Sequence, residues 1–184
     1  LVLYLEEGVI AMKLEEVYKA RDRISPYLYP TPLIESAQLS KLFSKNIWLK
    51  LETQLPTGSF KPRAAFNSIL SNIAAAREKG VVTSSSGNFA QAAAFAAREL
   101  GVSIVIVMTN AASPYKMQRT KELGAEIVIC GNSHQERLDT TTKLQQETGR
   151  ILIHPYDSLE TIAGDGTISL ELKEQLGETL NSDM

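Results

Sequence analysis

One lysine and one polar loop carry most of the chemistry legible in this chain. Thr57-Gly58-Ser59-Phe60-Lys61-Pro62-Arg63 sets Lys61 in a tight turn at the start of a predicted helix. A helix N-terminus carries positive partial charge, which disfavours an ammonium and favours the amine a nucleophile requires. Such an amine can form an imine with an aldehyde. Phe60 can cover one face of an aromatic ring. The structural alternatives are a solvated surface lysine and a core phenylalanine. The second segment, Ser84-Ser85-Ser86-Gly87-Asn88-Phe89-Ala90-Gln91, runs from a predicted strand into a helix. Strand, small polar residues, glycine and helix together offer unpaired backbone N–H groups to an anion such as a carboxylate. Ser85 and Ser86 add hydroxyl donors, and the Asn88 amide can hold a phenolate or carbonyl oxygen. The structural alternative here is an ordinary helix N-cap.

The elements that must position these residues follow from periodicity and from glycine and proline. Lys13 to Arg23 reads as an amphipathic helix, with Leu14, Val17 and Tyr18 on one face. Pro26, Pro30 and Pro32 force an extended path. Ser36 to Phe43 reads as a short helix and Ile47 to Leu51 as a strand. Pro62 suits a first helical turn, and the alanine-rich run from Arg63 to Lys79 predicts one helix ending at Gly80.

A regular alternation follows. Val81–Thr83, Ile104–Met108, Glu126–Cys130 and Ile151–His154 read as strands. Phe89–Leu100, Pro114–Leu123 and Ser133–Thr148 read as the helices between them, with Gly101, Gly124 and Gly149 as stops. The fold class this predicts is α/β, a parallel sheet with helices on both faces and right-handed crossovers. Ligands bind such sheets at the carboxyl ends of strands, where the 84–91 loop falls. Ser158 to Ala163 leads to Gly164-Asp165-Gly166-Thr167, which opens a helix from Ile168 to Leu176, followed by a polar stretch from Gly177 to Asp183. Position 169 is serine and no strand immediately precedes, so the dinucleotide fingerprint fails. A tight turn with Thr167 as N-cap is expected there.

Composition sets the remaining bounds. The 184 residues are 43% hydrophobic and 22% charged, as in a globular protein with a real core. With 19 basic against 21 acidic residues the net charge is -2, and no basic block with interleaved aromatics supports a nucleic-acid partner. Cys130 is the single cysteine, which excludes an internal disulfide, suits a reducing cytoplasm and reads as a buried, inert side chain. His134 and His154, without nearby cysteines, make no metal site. No stretch approaches the roughly 20 apolar residues of a membrane span. Leu1 to Ala11 holds Glu6 and Glu7 and lacks a basic start, so it reads poorly as a signal peptide, and Met12 reads better as the natural beginning.

The two segments, in this order and about two dozen residues apart in the chain, resemble those of the fold-type II pyridoxal-phosphate enzymes. Within that group they are similar to the serine/threonine dehydratase and serine racemase branch. Pro30-Thr31-Pro32-Leu33, Lys50-Leu51-Glu52, Gly124-Ala125-Glu126, Ile162-Ala163-Gly164 and Gly166-Thr167 agree with it. The resemblance runs from about Met12 to the end, and implies a tryptophan-synthase-beta-like architecture. Residues 12–79 and 158–184 would belong to a large cofactor domain, present in part, and residues 80–157 to a small α/β domain, present in full.

The same resemblance implies roles. Lys61 would be the internal aldimine with pyridoxal 5'-phosphate and the base at the substrate α-carbon. Phe60 would pack against the cofactor ring and Asn88 would hydrogen-bond its 3' oxygen. Ser85, Ser86, Gly87 and Phe89 would bind the substrate carboxylate, largely through backbone N–H groups, and Ser86 could also act from the opposite face. The implied reaction removes water and ammonia from L-threonine or L-serine to give a 2-oxo acid, in a cytoplasmic enzyme whose full-length form is a homodimer.

Departures accompany the match. Ala64 stands where the family usually has glycine, Phe89 where many dehydratases have histidine, and Asp165 replaces a frequent glutamine and is given no role. The family's glycine-rich phosphate loop and the hydroxyl residue facing the pyridine nitrogen have no candidate here, so a truncated form with weak or no activity is expected. The alternatives are a non-catalytic α/β binding or assembly domain, and a racemase or β-replacement enzyme of the same fold.

Overall fold

Short β-branched runs alternating with helices build a parallel sheet in this computed structural model, which describes residues 2–5 and 8–182. The N-terminal strands β1 (Val2–Leu5) and β2 (Gly8–Ala11) pair antiparallel. Helix α1 (Leu14–Ile24) follows and buries Val17, Ala20 and Ile24 on one face. Strand β3 (Leu33–Glu35), helix α2 (Ala37–Phe43) and strand β4 (Trp48–Lys50) form a small antiparallel unit in which Ile34 sits opposite Leu49. Ser36 caps α2, accepting from the Leu39 N–H.

The main sheet contains β5 (Val81–Ser84), β6 (Ile104–Thr109), β7 (Glu126–Cys130) and β8 (Ile151–Leu152), all parallel, in the order β7-β6-β5-β8. All four residues of β5 and the first five of β6 are buried, the continuous apolar pattern of a strand covered on both faces. Helices α5 (Asn88–Leu100), α6 (Pro114–Glu122) and α7 (His134–Thr148) make the crossovers. With right-handed crossovers, the forward steps from β5 to β7 put α5 and α6 on one face. The reversed step to β8 then puts α7 on the other, where it packs on β5, β6 and β7.

Two expectations about helices are corrected. The alanine-rich run forms two helices, α3 (Pro62–Leu70) and α4 (Ile73–Lys79), rather than one. At the break Ser71 donates its hydroxyl to the Ser68 carbonyl, and Asn72 takes a non-helical conformation. Side chains of this type compete with the helical backbone, so a high alanine content does not carry the helix across them. The Gly164–Thr167 segment is no turn, and Thr167 is no N-cap. It lies inside α8 (Leu159–Ser182), one continuous 24-residue helix that also takes in residues 177–182 of the expected polar stretch. Asp183, like Glu6 and Glu7, lies outside the described residues.

The glycines explain why α8 runs through. A Cβ at Gly164 would stand 2.6 Å from the Arg63 carbonyl oxygen and 2.8 Å from the Ala64 Cα. Helix α8 therefore passes α3 backbone against backbone, and only glycine fits the crossing. Packing of α8 on α1 and α3 outweighs the roughly 1 kcal/mol that a glycine costs inside a helix.

A buried ionic cluster locks the same crossing. Arg63, 1% exposed, donates Nε to Glu52 Oε2 at 2.8 Å and Nη2 to Glu52 Oε1 at 2.9 Å. It donates Nη2 to Glu171 Oε2 at 2.9 Å and Nη1 to Thr167 Oγ1 at 3.1 Å. Lys50 Nζ reaches Glu171 Oε2 and the Thr31 carbonyl, each at 2.6 Å. Burial pushes the Glu171 carboxyl up, but Arg63 and Lys50 pull it further down, and it ends below the usual glutamate value. The end of β4, the start of α3 and the middle of α8 are thereby fixed around Lys61.

The apolar core is continuous with these elements. Phe66, fully buried, stacks on Tyr27 at 5.1 Å between centroids and meets Phe95 edge-on at 5.9 Å. The alanines of α5 keep that helix close to α3, so the lysine turn and the 85–89 loop are held at a set spacing.

Candidate active site

The chain approaches Lys61 through a single turn of 3-10 helix at Glu52–Gln54 and a tight turn in which Gly58 has φ +69°. That positive φ is strained for any residue with a Cβ. Lys61 is the N-cap of α3 and Pro62 its first helical residue, as expected from the sequence. The Thr57 and Ser59 hydroxyl oxygens in this turn are buried without a hydrogen-bond partner.

The Lys61 amine faces two groups. Its Nζ donates to Asp165 Oδ2 at 2.8 Å and lies 4.4 Å from the centre of the Phe60 ring. Burial raises the Asp165 carboxyl above the usual aspartate value, although the bond from Lys61 and the charges of Lys61 and Arg63 work against the rise. Its second oxygen, Oδ1, is buried with no hydrogen-bond partner. Asp165 owes its place to Gly164, whose contact with α3 sets the next residue beside Lys61.

Across the cleft stands the loop from β5 to α5. Ser86 Oγ accepts from the Thr109 N–H at 3.2 Å and keeps its own proton to donate. Ser85 Oγ accepts from the Gly87 N–H at 3.3 Å. The Ser85 N–H is already donated to the Val107 carbonyl at 3.1 Å, so any part Ser85 takes with a ligand falls to its hydroxyl. Gly87 is the N-cap of α5 and supplies no side-chain cap, which leaves the first N–H groups of that helix for a ligand. Asn88 is exposed, and the Phe89 side chain is only 3% exposed and belongs to the core.

These residues meet in one open cleft of about 470 Å³. Phe60 and Lys61 form one wall, and Ser85, Ser86, Gly87, Asn88 and Phe89 the other. All seven residues singled out from the sequence line it. Lys116 of α6, Arg137 of α7 and Tyr156 complete the lining and were not found from the sequence. Each follows the carboxyl end of a sheet strand, so the rule that ligands bind there held the signal. Asp165 was also missed, because the turn expected at Gly164–Thr167 hid its place on a helix packed against Lys61.

The donor set fits the aldehyde and ring of an aldehyde cofactor, and a carboxylate ligand. It offers an amine within the cleft, an exposed aromatic ring beside it, and a helix N-terminus with hydroxyl donors. Among the described residues no cluster of three or more histidine, cysteine or carboxylate side chains is placed to hold a metal ion. No helix among them is long and apolar enough to cross a membrane.

A lysine faces the N-terminal end of a helix across the carboxyl edge of a parallel sheet, an arrangement able to hold an aldehyde and an anion. Comparison with known proteins agrees: residues 24–182 match the family described as pyridoxal-phosphate dependent enzyme, and the chain belongs to it. It is 37% identical over 163 residues to an L-threonine ammonia-lyase of Thermotoga maritima, covering 89% of this chain and 41% of that protein. It is 38% identical over 168 residues to a serine racemase of Oryza sativa, covering 91% and 50%. The solved structure of maize serine racemase superposes with a TM-score of 0.88 at 38% identity, covering 92% of this chain and 51% of that one. The chain thus spans about half the length of the relatives it matches, or less. The family, its fold and its dependence on pyridoxal phosphate agree with the sequence resemblance.

Proposed function

We propose that the protein to which this chain belongs is a lyase that removes water and ammonia from a hydroxy-amino acid, L-threonine or L-serine, to give a 2-oxo acid. The observation that carries the proposal is the single cleft in which Lys61 faces the 85–89 loop. Pyridoxal phosphate, when bound, supplies the electron sink for reaction at the substrate α-carbon. Lys61 is the residue that would hold the cofactor's aldehyde carbon, and its Nζ is the group proposed to move the α-proton. The Phe60 ring, 37% exposed beside Nζ, offers a flat apolar face to the cofactor ring. The Asn88 amide is the donor proposed for the 3' oxygen.

The substrate carboxylate is assigned to the start of α5. There the N–H groups after Gly87 and the hydroxyls of Ser85 and Ser86 converge. Ser86 is also the group proposed for the opposite face of the α-carbon, where it would hold a proton in a racemase. Division into a cofactor part, 12–79 with 158–184, and a smaller part, 80–157, is supported by α8 returning to pack on α1 and α3. In the whole protein this reading places the substrate between the two.

The test loads the chain with pyridoxal phosphate and adds L-threonine, L-serine or D-serine while the visible absorbance and the products are followed. A spectral response to the hydroxy-amino acids with release of ammonia and 2-oxobutyrate or pyruvate supports the lyase. Interconversion of L- and D-serine without ammonia replaces it with a racemase. No spectral response to any of the three overturns the substrate class.

A further inference from the structure

The Lys61 amine does not stand alone in its cleft. Its ion pair with Asp165 is closed at 2.8 Å, with the two side chains 17% and 24% exposed. Arg63, the next cation, is taken up by Glu52 and Glu171, and Asp165 Oδ1 has no hydrogen-bond partner. Among the described residues, Lys61 is therefore the only side chain shown donating a hydrogen bond to Asp165. We infer that Asp165 is the counter-ion of Lys61, a positioning residue that holds the amine charged within the cleft until an aldehyde takes it, and so sets the pH at which Lys61 becomes reactive; this rests on Lys61 being the aldehyde-binding residue.

A lysine attacks a carbonyl only through its unprotonated form. For Lys61 the nearest acceptor of the departing proton is Asp165 Oδ2. An Nζ–H bond breaks, an Oδ2–H bond forms, and the electron pair stays on Nζ, so ammonium and carboxylate become amine and carboxylic acid. Burial already raises the Asp165 carboxyl, which brings the neutral pair closer in energy than it is in water. The groups facing Asp165 are Lys61 and Arg63 at the start of α3 and Glu52 from the turn before it. Lys61 faces the Phe60 ring, and shares its cleft with Lys116, Arg137 and Tyr156.

The test does not need the cofactor. The 184-residue chain and its Asp165→Asn and Asp165→Glu variants are reductively methylated with limiting formaldehyde across a pH series. Modification of Lys61 is read by peptide mass spectrometry, with circular dichroism as the check on folding. The expected result is that Asp165→Asn moves the Lys61 profile to lower pH, raising modification near neutral pH about tenfold, the effect of losing one close opposite charge. Asp165→Glu keeps the parent profile. An Asp165→Asn profile that coincides with the parent, or lies at higher pH, overturns the inference.

If Asp165→Asn does not fold, the carboxyl-carbon NMR resonance of Asp165 in the parent chain decides. An alkaline inflection coinciding with the Lys61 modification midpoint supports the pair, and its absence overturns it. Failure of pyridoxal phosphate to label Lys61 while Asp165→Asn still moves the formaldehyde profile would sink the cofactor reading alone.

Discussion

Replacing Arg63 by methionine keeps much of the side-chain volume and removes the one cation that holds both Glu52 and Glu171. Glu171 is 7% exposed and the Glu52 side chain 14%, so bulk water replaces the lost partner of either carboxylate poorly. Lys50 still reaches Glu171, and Thr31 still donates its hydroxyl to Glu52 at 2.5 Å. The loss is therefore that of breaking a buried pair from one side, about 3–5 kcal/mol. Glu171→Gln leaves Arg63 its bidentate bond to Glu52, and should cost less, about 1–3 kcal/mol.

Equilibrium urea unfolding, followed by far-ultraviolet circular dichroism, measures both losses. The pH dependence adds a second check. The folded Glu171 carboxyl sits below its ordinary value, so its contribution is present above the unfolded value and is lost as pH falls through the lower folded value. The gap between parent and Arg63→Met should narrow over that acid range. A loss under about 1 kcal/mol for Arg63→Met, or a larger loss for Glu171→Gln, would refute the assignment of Arg63 as centre of the cluster.

Two further substitutions test the packing and the capping. Gly164→Ala brings a Cβ to 2.6 Å from the Arg63 carbonyl, so α8 must move off α3 at a cost of about 1–3 kcal/mol, read in the same unfolding assay. The displacement also carries Asp165 away from Lys61, so the Lys61 formaldehyde profile should shift in the direction given by Asp165→Asn. Ser133→Ala removes a capping box in which Ser133 and Glu136 satisfy each other's backbone N–H groups, for a loss of about 1 kcal/mol.

The parts of the fold that could be read from the sequence are those governed by local rules. β7 was placed residue for residue, and α5, α6 and α7 within a residue, because β-branched runs and flanking glycines mark them without reference to distant contacts. The lysine turn and the 85–89 loop were legible for the same reason, each being a short segment at an element boundary. What escaped depended on packing between segments far apart in the chain. Gly164 and Gly166 read as a turn by composition, yet they mark a helix pressed against α3 and, at Gly166, against Val17, whose methyl carbons a Cβ there would meet at 3.4 Å.

Asp165 could not be paired with Lys61 until that helix was in place, since 104 residues separate them. β3 is three residues long between Pro32 and Ser36, too short for its alternation to show, and it exists by pairing with β4. Lys116, Arg137 and Tyr156 were hidden in a different way. Each is unremarkable in its own segment, and only the strand order brings the ends of β6, β7 and β8 to one cleft.

The central claim, that Lys61 is the residue that takes the aldehyde of pyridoxal phosphate, has one direct measurement. The chain is incubated with pyridoxal phosphate, scanned for the visible absorbance of an imine, reduced with borohydride and mapped by peptide mass spectrometry. The account predicts a band that reduction abolishes, a pyridoxyl adduct on Lys61, and neither in Lys61→Ala. An adduct elsewhere in the chain, or one that persists undiminished in Lys61→Ala, would contradict it.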